Sequence, residues 1–131
     1  MTLHPARCVP LAALALSACA TAGQDTPLPD GSDVALGQSA YVDGPVVRPV
    51  EVIEDSRCPA GVQCVWAGRV RVKMVWLRPT GEEQPFAVTL GKSTPLADGA
   101  IRLLSVRPEK RTDRGISPED YRFSFRFDGG L

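Results

Sequence analysis

Histidine is almost missing from this chain: 131 residues hold one, His4. Aromatics make up only 6% and cysteines number 4. Neither sign of charge is in excess, with 15 Lys+Arg against 15 Asp+Glu. No apolar run reaches the ~20 residues a membrane-spanning helix needs. Each shortage excludes something. Balanced charge gives no basis for bulk nucleic-acid or acidic-membrane binding. There is no Gly-rich phosphate loop and no nucleophile elbow. No internal repeat stands out and no helical periodicity is sustained, while the 12 prolines are scattered through the chain.

What is present begins with an export signal over residues 1–18. Arg7 is a thin basic region, and Val9 to Leu16 is an apolar run too short to cross a bilayer. Leu16-Ser17-Ala18-Cys19 then has the form of a lipobox, where bacterial lipoproteins are cleaved and acylated. Cys19 becomes the lipidated N-terminus in this reading, and several acyl chains on one residue anchor stably. An ordinary signal peptide cut nearby is the alternative. Ala20, in place of an aspartate, favours outer-membrane anchoring with the domain on the periplasmic face.

Cleavage has two further consequences. His4 leaves, and with it Ser-His-Asp or Cys-His triads and every histidine-ligated zinc site. Arg7 leaves too, so the mature chain has one base fewer than its 15 acids, a side-chain charge of about −1. Residues 19–33 follow as the lipidated cysteine and a Pro/Gly-rich tether, too polar to bury a core. Fourteen extended residues reach roughly 45–50 Å.

The rest, residues 34–131, is organised around residues 55–68. Cys8 goes with the signal and Cys19 with lipid, so Cys58 and Cys64 remain as an even pair in an oxidising compartment. Pro59 and Gly61 lie between them and permit a tight turn. A disulfide over so short a loop stabilises by about 2 kcal/mol. Asp55 is placed to accept backbone N–H groups one or two residues on, as in an Asx-turn. Trp66 is expected to cover the disulfide. A redox pair is the competing reading, but redox cysteines are usually closer in sequence and at a helix start.

Asp55-Ser56-Arg57-Cys58-Pro59, a four-residue gap, then Cys64-Val65-Trp66-Ala67-Gly68 resembles the signature of small bacterial envelope lipoproteins. The resemblance is sharpest over residues 55–68 and looser from Gly37 to Phe127. It implies an all-β lipoprotein domain and no particular reaction.

Strand patterns agree with an all-β domain. Short strands are expected at 34–36 and 39–42, and another at 46–54 with Pro49 at an edge or bulge. The longest runs over 65–77. Trp66, Gly68, Val70, Val72, Met74 and Trp76 share its inward parity, Arg69, Arg71 and Lys73 the outward one, with Gly68 a bulge. Residues 86–90 return the chain, and 91–99 read as a loop. Residues 101–106 break parity at Leu103-Leu104, marking a bulge or a strand buried on both faces. Residues 108–118 are a charged loop, and Tyr121, Phe123, Phe125 and Phe127 alternate inward along the last strand. About six or seven antiparallel strands give a small β-sandwich with one short-loop disulfide.

Three surface features are candidates for function. Arg69, Arg71 and Lys73 form an outward basic row, joined by Arg122 and Arg126 if the two strands are neighbours. Such a face suits anionic partners, although a solvated row paired with Glu51 or Glu54 is the plainer expectation. Carboxylates in turns, Glu82, Glu83, Asp113, Glu119 and Asp120, offer acid–base groups but no calcium-loop spacing. Trp76 is a candidate contact near one end of the sandwich. No catalytic residue, metal site or cofactor is assigned. The expected function is a membrane-anchored, non-catalytic binding module for an unknown envelope protein or cell-wall component, with no nucleic-acid partner. The alternatives are a protease-inhibitor-like sandwich acting through its end loops and a carboxylate-based hydrolase.

Overall fold

Alternation along the chain builds the strands. Val70, Val72 and Met74 are fully buried while Lys73 between them is exposed. A pleated strand with one dry face gives this pattern. The computed structural model describes residues 2–3 and 26–130. His4, Arg7, Cys8, the lipobox with Cys19 and residues 20–25 of the expected tether lie outside the described residues.

Among the described residues, seven strands form two antiparallel sheets. The first sheet has the order β1 (Ala40–Tyr41), β2 (Val46–Asp55), β3 (Val70–Leu77), β4 (Glu83–Thr89). The second has the order β5 (Ser93–Leu96), β6 (Gly99–Arg107), β7 (Arg122–Asp128). Between them lies one apolar core. Val47, Val72, Met74 and Val88 of the first sheet meet Ile101, Leu103, Phe123 and Phe125 of the second. Tyr121 and Phe123 stack with ring centroids 5.7 Å apart.

Two irregularities follow from the residues that cause them. Register shifts in β2 between Pro49 and Glu51, where a proline cannot donate to the ladder. It shifts in β6 between Leu103 and Ser105, and the bulge turns Leu104 out to 51% exposure beside the buried Leu103. Residues 34–36 differ from the expected strand. Val34 makes only an isolated bridge to Phe123. The expected loop 91–99 contains β5, a four-residue strand paired with β6. Its Ser-Thr-Pro-Leu sequence is too short and polar to carry a period-two signal.

The largest correction concerns the tether. Leu28 donates its N–H to Ser39 O at 2.8 Å and accepts from Tyr41 N at 2.8 Å. Gly31 O accepts from Phe125 N at 2.7 Å, and Val34 and Phe123 exchange both backbone bonds. Residues 28–34 therefore run along the outer edge of β1 and then along that of β7, tying the two sheets together on one side. Ordering entropy is offset here by backbone pairing together with the burial of Val34 and the packing of Leu28 against the core, which composition does not report. The tether stops short of Leu28.

The sandwich has two unlike ends. At one, β2 finishes at Asp55 beside Val70, and β6 finishes at Arg107 beside Arg122. At the other, Leu77 meets Glu83, Ala100 meets Asp128, and the turns at 43–45 and 97–98 gather around Phe127.

Candidate functional site

The signature stretch sits at the Asp55 end, where backbone pairing stops and side chains take over. Past the last ladder pair, Ser56 N donates to Arg69 O at 2.9 Å. The Ser56 hydroxyl then accepts from Arg69 N at 3.0 Å and lies 3.3 Å from Arg69 O. Ser56 thus extends the β2–β3 pairing by one step with its own side chain. Gly68 is needed next to it: a Cβ there would lie 1.7 Å from Ser56 O. Its role is close approach of backbone to backbone, and the bulge expected of it inside a longer strand is not found, because β3 begins only at Val70.

Asp55 is the hub. Its Oδ1 accepts from Arg57 Nε at 2.9 Å and its Oδ2 from Arg57 Nη2 at 2.8 Å, a bidentate fork. The Arg57 backbone N–H reaches the same Oδ1 at 3.4 Å. From the other sheet, the Tyr121 hydroxyl donates to Oδ2 at 2.8 Å. Arg57 Nη1 donates to Val106 O at 3.1 Å, and Lys110 Nζ donates to the Asp55 carbonyl at 2.7 Å. The Asp55 and Arg57 side chains are 9% and 15% exposed, so the pair is largely screened from water. Burial disfavours the Asp55 carboxylate, but hydrogen bonds from Arg57 and Tyr121 and the charge of Arg57 outweigh it and hold its pKa below the ordinary value. The Asp55 hydrogen bond holds the Arg57 pKa above its ordinary value against the effect of burial. Burial, then the Asp55 hydrogen bond and charge, push the Tyr121 hydroxyl up to about 12.

Cys58 and Cys64 form the disulfide, with α-carbons 6.0 Å apart. The loop it closes is tied to the charged loop after β6, because Ala60 N donates to Lys110 O at 2.8 Å. Trp66 departs from expectation. It is 66% exposed, with Val65 at 93% and Val62 at 45%, instead of buried as its parity predicts. The close contact of Gly68 with Ser56 bends the chain before β3 starts, so residues 65–67 never enter the pleat that would have turned Trp66 inward.

No family model, curated protein or solved structure matches this chain.

The basic face is split. Arg69, Arg71 and Lys73 belong to the first sheet's side, whereas β7, with Arg122 and Arg126, lies in the second sheet and is not a neighbour of β3. Arg69 pairs with Glu54 at 2.7 Å, and Lys73 stands opposite Glu51 and Arg71 opposite Glu54 in register. Arg126 pairs with Asp128 at 3.0 Å, and Arg122 donates to the carbonyls of Glu119 and Tyr121. Three of the turn carboxylates are engaged likewise: Glu82 by Arg78, Glu83 by Arg48, Asp113 by Arg111. Trp76 is half-buried and covered by Arg78, whose guanidinium carbon lies 4.9 Å from the ring centroid. Among the described residues no cluster of His, Cys, Asp or Glu is arranged to hold a metal ion.

Two members of the hub, Tyr121 and Lys110, are not expected from the sequence to meet Asp55. One signal for Tyr121 was available. It is the only hydroxyl in an inward row otherwise made of Phe123, Phe125 and Phe127, and a buried hydroxyl requires a partner.

Proposed function

We propose that this protein is a bacterial envelope lipoprotein, anchored through Cys19 to the outer membrane and facing the periplasm, whose β-sandwich is a non-catalytic binding module. One observation carries the binding reading. Val65 and Trp66 stand exposed on a loop whose backbone is held by the disulfide, by the Asp55–Arg57 fork and by Lys110. A fold gains nothing by fixing an exposed tryptophan, whereas a binding surface gains by having it fixed before contact. The lipobox and the signature resemblance support the anchor and the compartment, and the disulfide is consistent with an oxidising one.

The experiment is intact mass spectrometry of the protein from its native envelope. It is expected to give an N-terminus at Cys19 carrying acyl chains, and Cys19→Ala is expected to leave the precursor unlipidated. An unmodified N-terminus elsewhere overturns the anchor.

An inhibitor-like sandwich is the second reading, favoured by a specific observation. The loop 58–64 and the loop 108–118 lie together at one end, joined by the Ala60–Lys110 bond. In that reading the partner is an envelope peptidase, and inhibition falls on Trp66→Ala. The hydrolase reading has weaker support. Asp113 is bound by Arg111, and Glu82 and Glu83 lie at the opposite end, each on an arginine.

A further inference from the structure

We propose that the mouth of the sandwich opposite Asp55 is a binding site of its own, and that its ligand is a small organic cation, an ammonium group carried on an apolar body. The proposal depends on neither the lipid anchor nor Trp66.

The chain treats the two mouths of the sandwich differently. At the Asp55 end, the bond from the Tyr121 hydroxyl to Asp55 crosses between the sheets and closes the gap. At the opposite end the side-chain bonds among the described residues stay within one sheet or one turn: Arg48 to Glu83, Arg78 to Glu82, Arg126 to Asp128. A cavity of about 390 Å³ opens there instead, a size that suits a small molecule. Its aromatic walls come from both layers, Trp76 near the end of β3 and Phe127 near the end of β7. Gly44 and Gly129 sit against the Phe127 ring without a side chain to fill the space. A Cβ on them would lie 3.5 Å and 3.2 Å from the ring's Cε1.

Charge selects the ligand. Glu82, Glu83 and Asp128 at this end each hold an arginine. Asp43 and Asp98 hold none among the described residues, and both line the cavity. No Lys or Arg lines it among the described residues. Arg78, which lies over Trp76, lines a separate hollow with Gln84 and Phe86 and is paired with Glu82. The cavities along the charged loop after β6 differ, because Arg111 accompanies Glu109 in each. Two unpaired carboxylates beside aromatic walls match a ligand that is positive and apolar at once. Calcium wants roughly six to eight oxygens, more than two carboxylates between aromatic walls supply. Both carboxylates are exposed, so each contributes modestly and binding is expected to be weak and salt-sensitive.

The test is a titration of the full chain as its host exports it, isotopically labelled and held in maltoside micelles. The signal is the indole N–H resonance of Trp76, with that of Trp66 at the other end as internal control. The probes are choline, butylamine and dimethylbutanol, the last having the shape of choline without its charge. Choline or butylamine is expected to shift Trp76 saturably and leave Trp66 in place. Dimethylbutanol is expected to bind about tenfold more weakly or worse. A response to choline alone assigns a quaternary ammonium, to butylamine alone a primary amine, and to both the ammonium charge in either form. Asp43→Asn and Asp98→Asn should each weaken binding about threefold, and together about tenfold, with the thermal midpoint unchanged. No saturable shift, an equal response to dimethylbutanol, equal movement of Trp66, or affinity indifferent to the double Asn variant overturns the proposal. The comparison of choline with dimethylbutanol uses no variant, so it decides even where a variant fails to fold.

Discussion

The two ends of the sandwich are built by different means. At the end with residues 43–45, 78–82 and 97–98, backbone conformation makes the turns. Asp43, Gly44, Gly81 and Ala97 all have positive φ, and Arg78 and Glu82 close a turn by a backbone bond of 2.9 Å. At the Asp55 end, side chains make the connections, and they cross from one sheet to the other. Asp55 on β2 holds Tyr121 beside β7, Arg57 holds the Val106 carbonyl of β6, and Lys110 holds the Asp55 carbonyl. A turn closes one hairpin and transmits little, whereas a cross-sheet brace fixes the two layers and the loop on top of them. Failure at the two ends should therefore differ in size and in reach.

Asp55→Ala is the largest test of that difference. It leaves Arg57 and the Tyr121 hydroxyl without their acceptor in a largely buried place, and a loss of about 3 kcal/mol is expected. Denaturant unfolding measures it, and a loss under 1 kcal/mol would mean the brace is ornamental. The same hub should make stability depend on pH at both extremes. Asp55 has a lowered folded pKa, so its contribution is present above the ordinary value of 3.8 and is lost as pH falls through the folded pKa. Tyr121 has a raised folded pKa, so its contribution is complete below 10.0 and is lost as pH rises through about 12. Asp55→Asn should flatten the acid limb, measured as the thermal midpoint against pH, while Tyr121→Phe should flatten the alkaline one.

Removing the disulfide comes next. Cys58→Ala with Cys64→Ala should cost about 2 kcal/mol through loop entropy, with the sheet signal in circular dichroism retained. Local exchange of the 58–66 amides should speed up more than that of β3. At the opposite end, Gly81→Ala places a side chain at φ +89 and should cost about 1 kcal/mol. Amide exchange there should rise only around residues 78–82. The smallest effect belongs to the outward row. Changing Arg69, Arg71 and Lys73 together to Gln should shift stability by ~1 kcal/mol or less, since exposed pairs contribute little. A larger loss would place the brace partly on the first sheet's outer face.

Residue by residue, the strands were legible because their signal is local. Phe123, Phe125 and Phe127 alternate with Ser124 and Arg126, and burial follows that alternation. The break at Leu103-Leu104 was legible because two adjacent apolar residues cannot both face inward on one pleat, and the structure decides for a bulge over a strand buried on both faces. The short disulfide was legible from cysteine count and the turn residues between the pair. The inward parity of Trp66 does not extend through Gly68, and nothing in the spacing says that Gly68 meets the Ser56 backbone. Whether Arg122 and Arg126 stand beside β3 depends on strand order, which is a long-range property.

By itself the sequence determined that this chain is an antiparallel β protein, which residues of β3 from Val70 to Met74 and of β7 face the core, and that Cys58 and Cys64 are fit to pair. Period-two patterning and turn chemistry act over a few residues, so they can be read along the chain. Only the tertiary structure decided that β3 and β7 belong to different sheets, that residues 28–34 bind the edges of both, and that Asp55 meets Tyr121 across 66 positions. It also decided that Trp66 points to solvent. Those outcomes depend on which distant surfaces pack together and where backbone comes too close for a side chain. No local pattern encodes that.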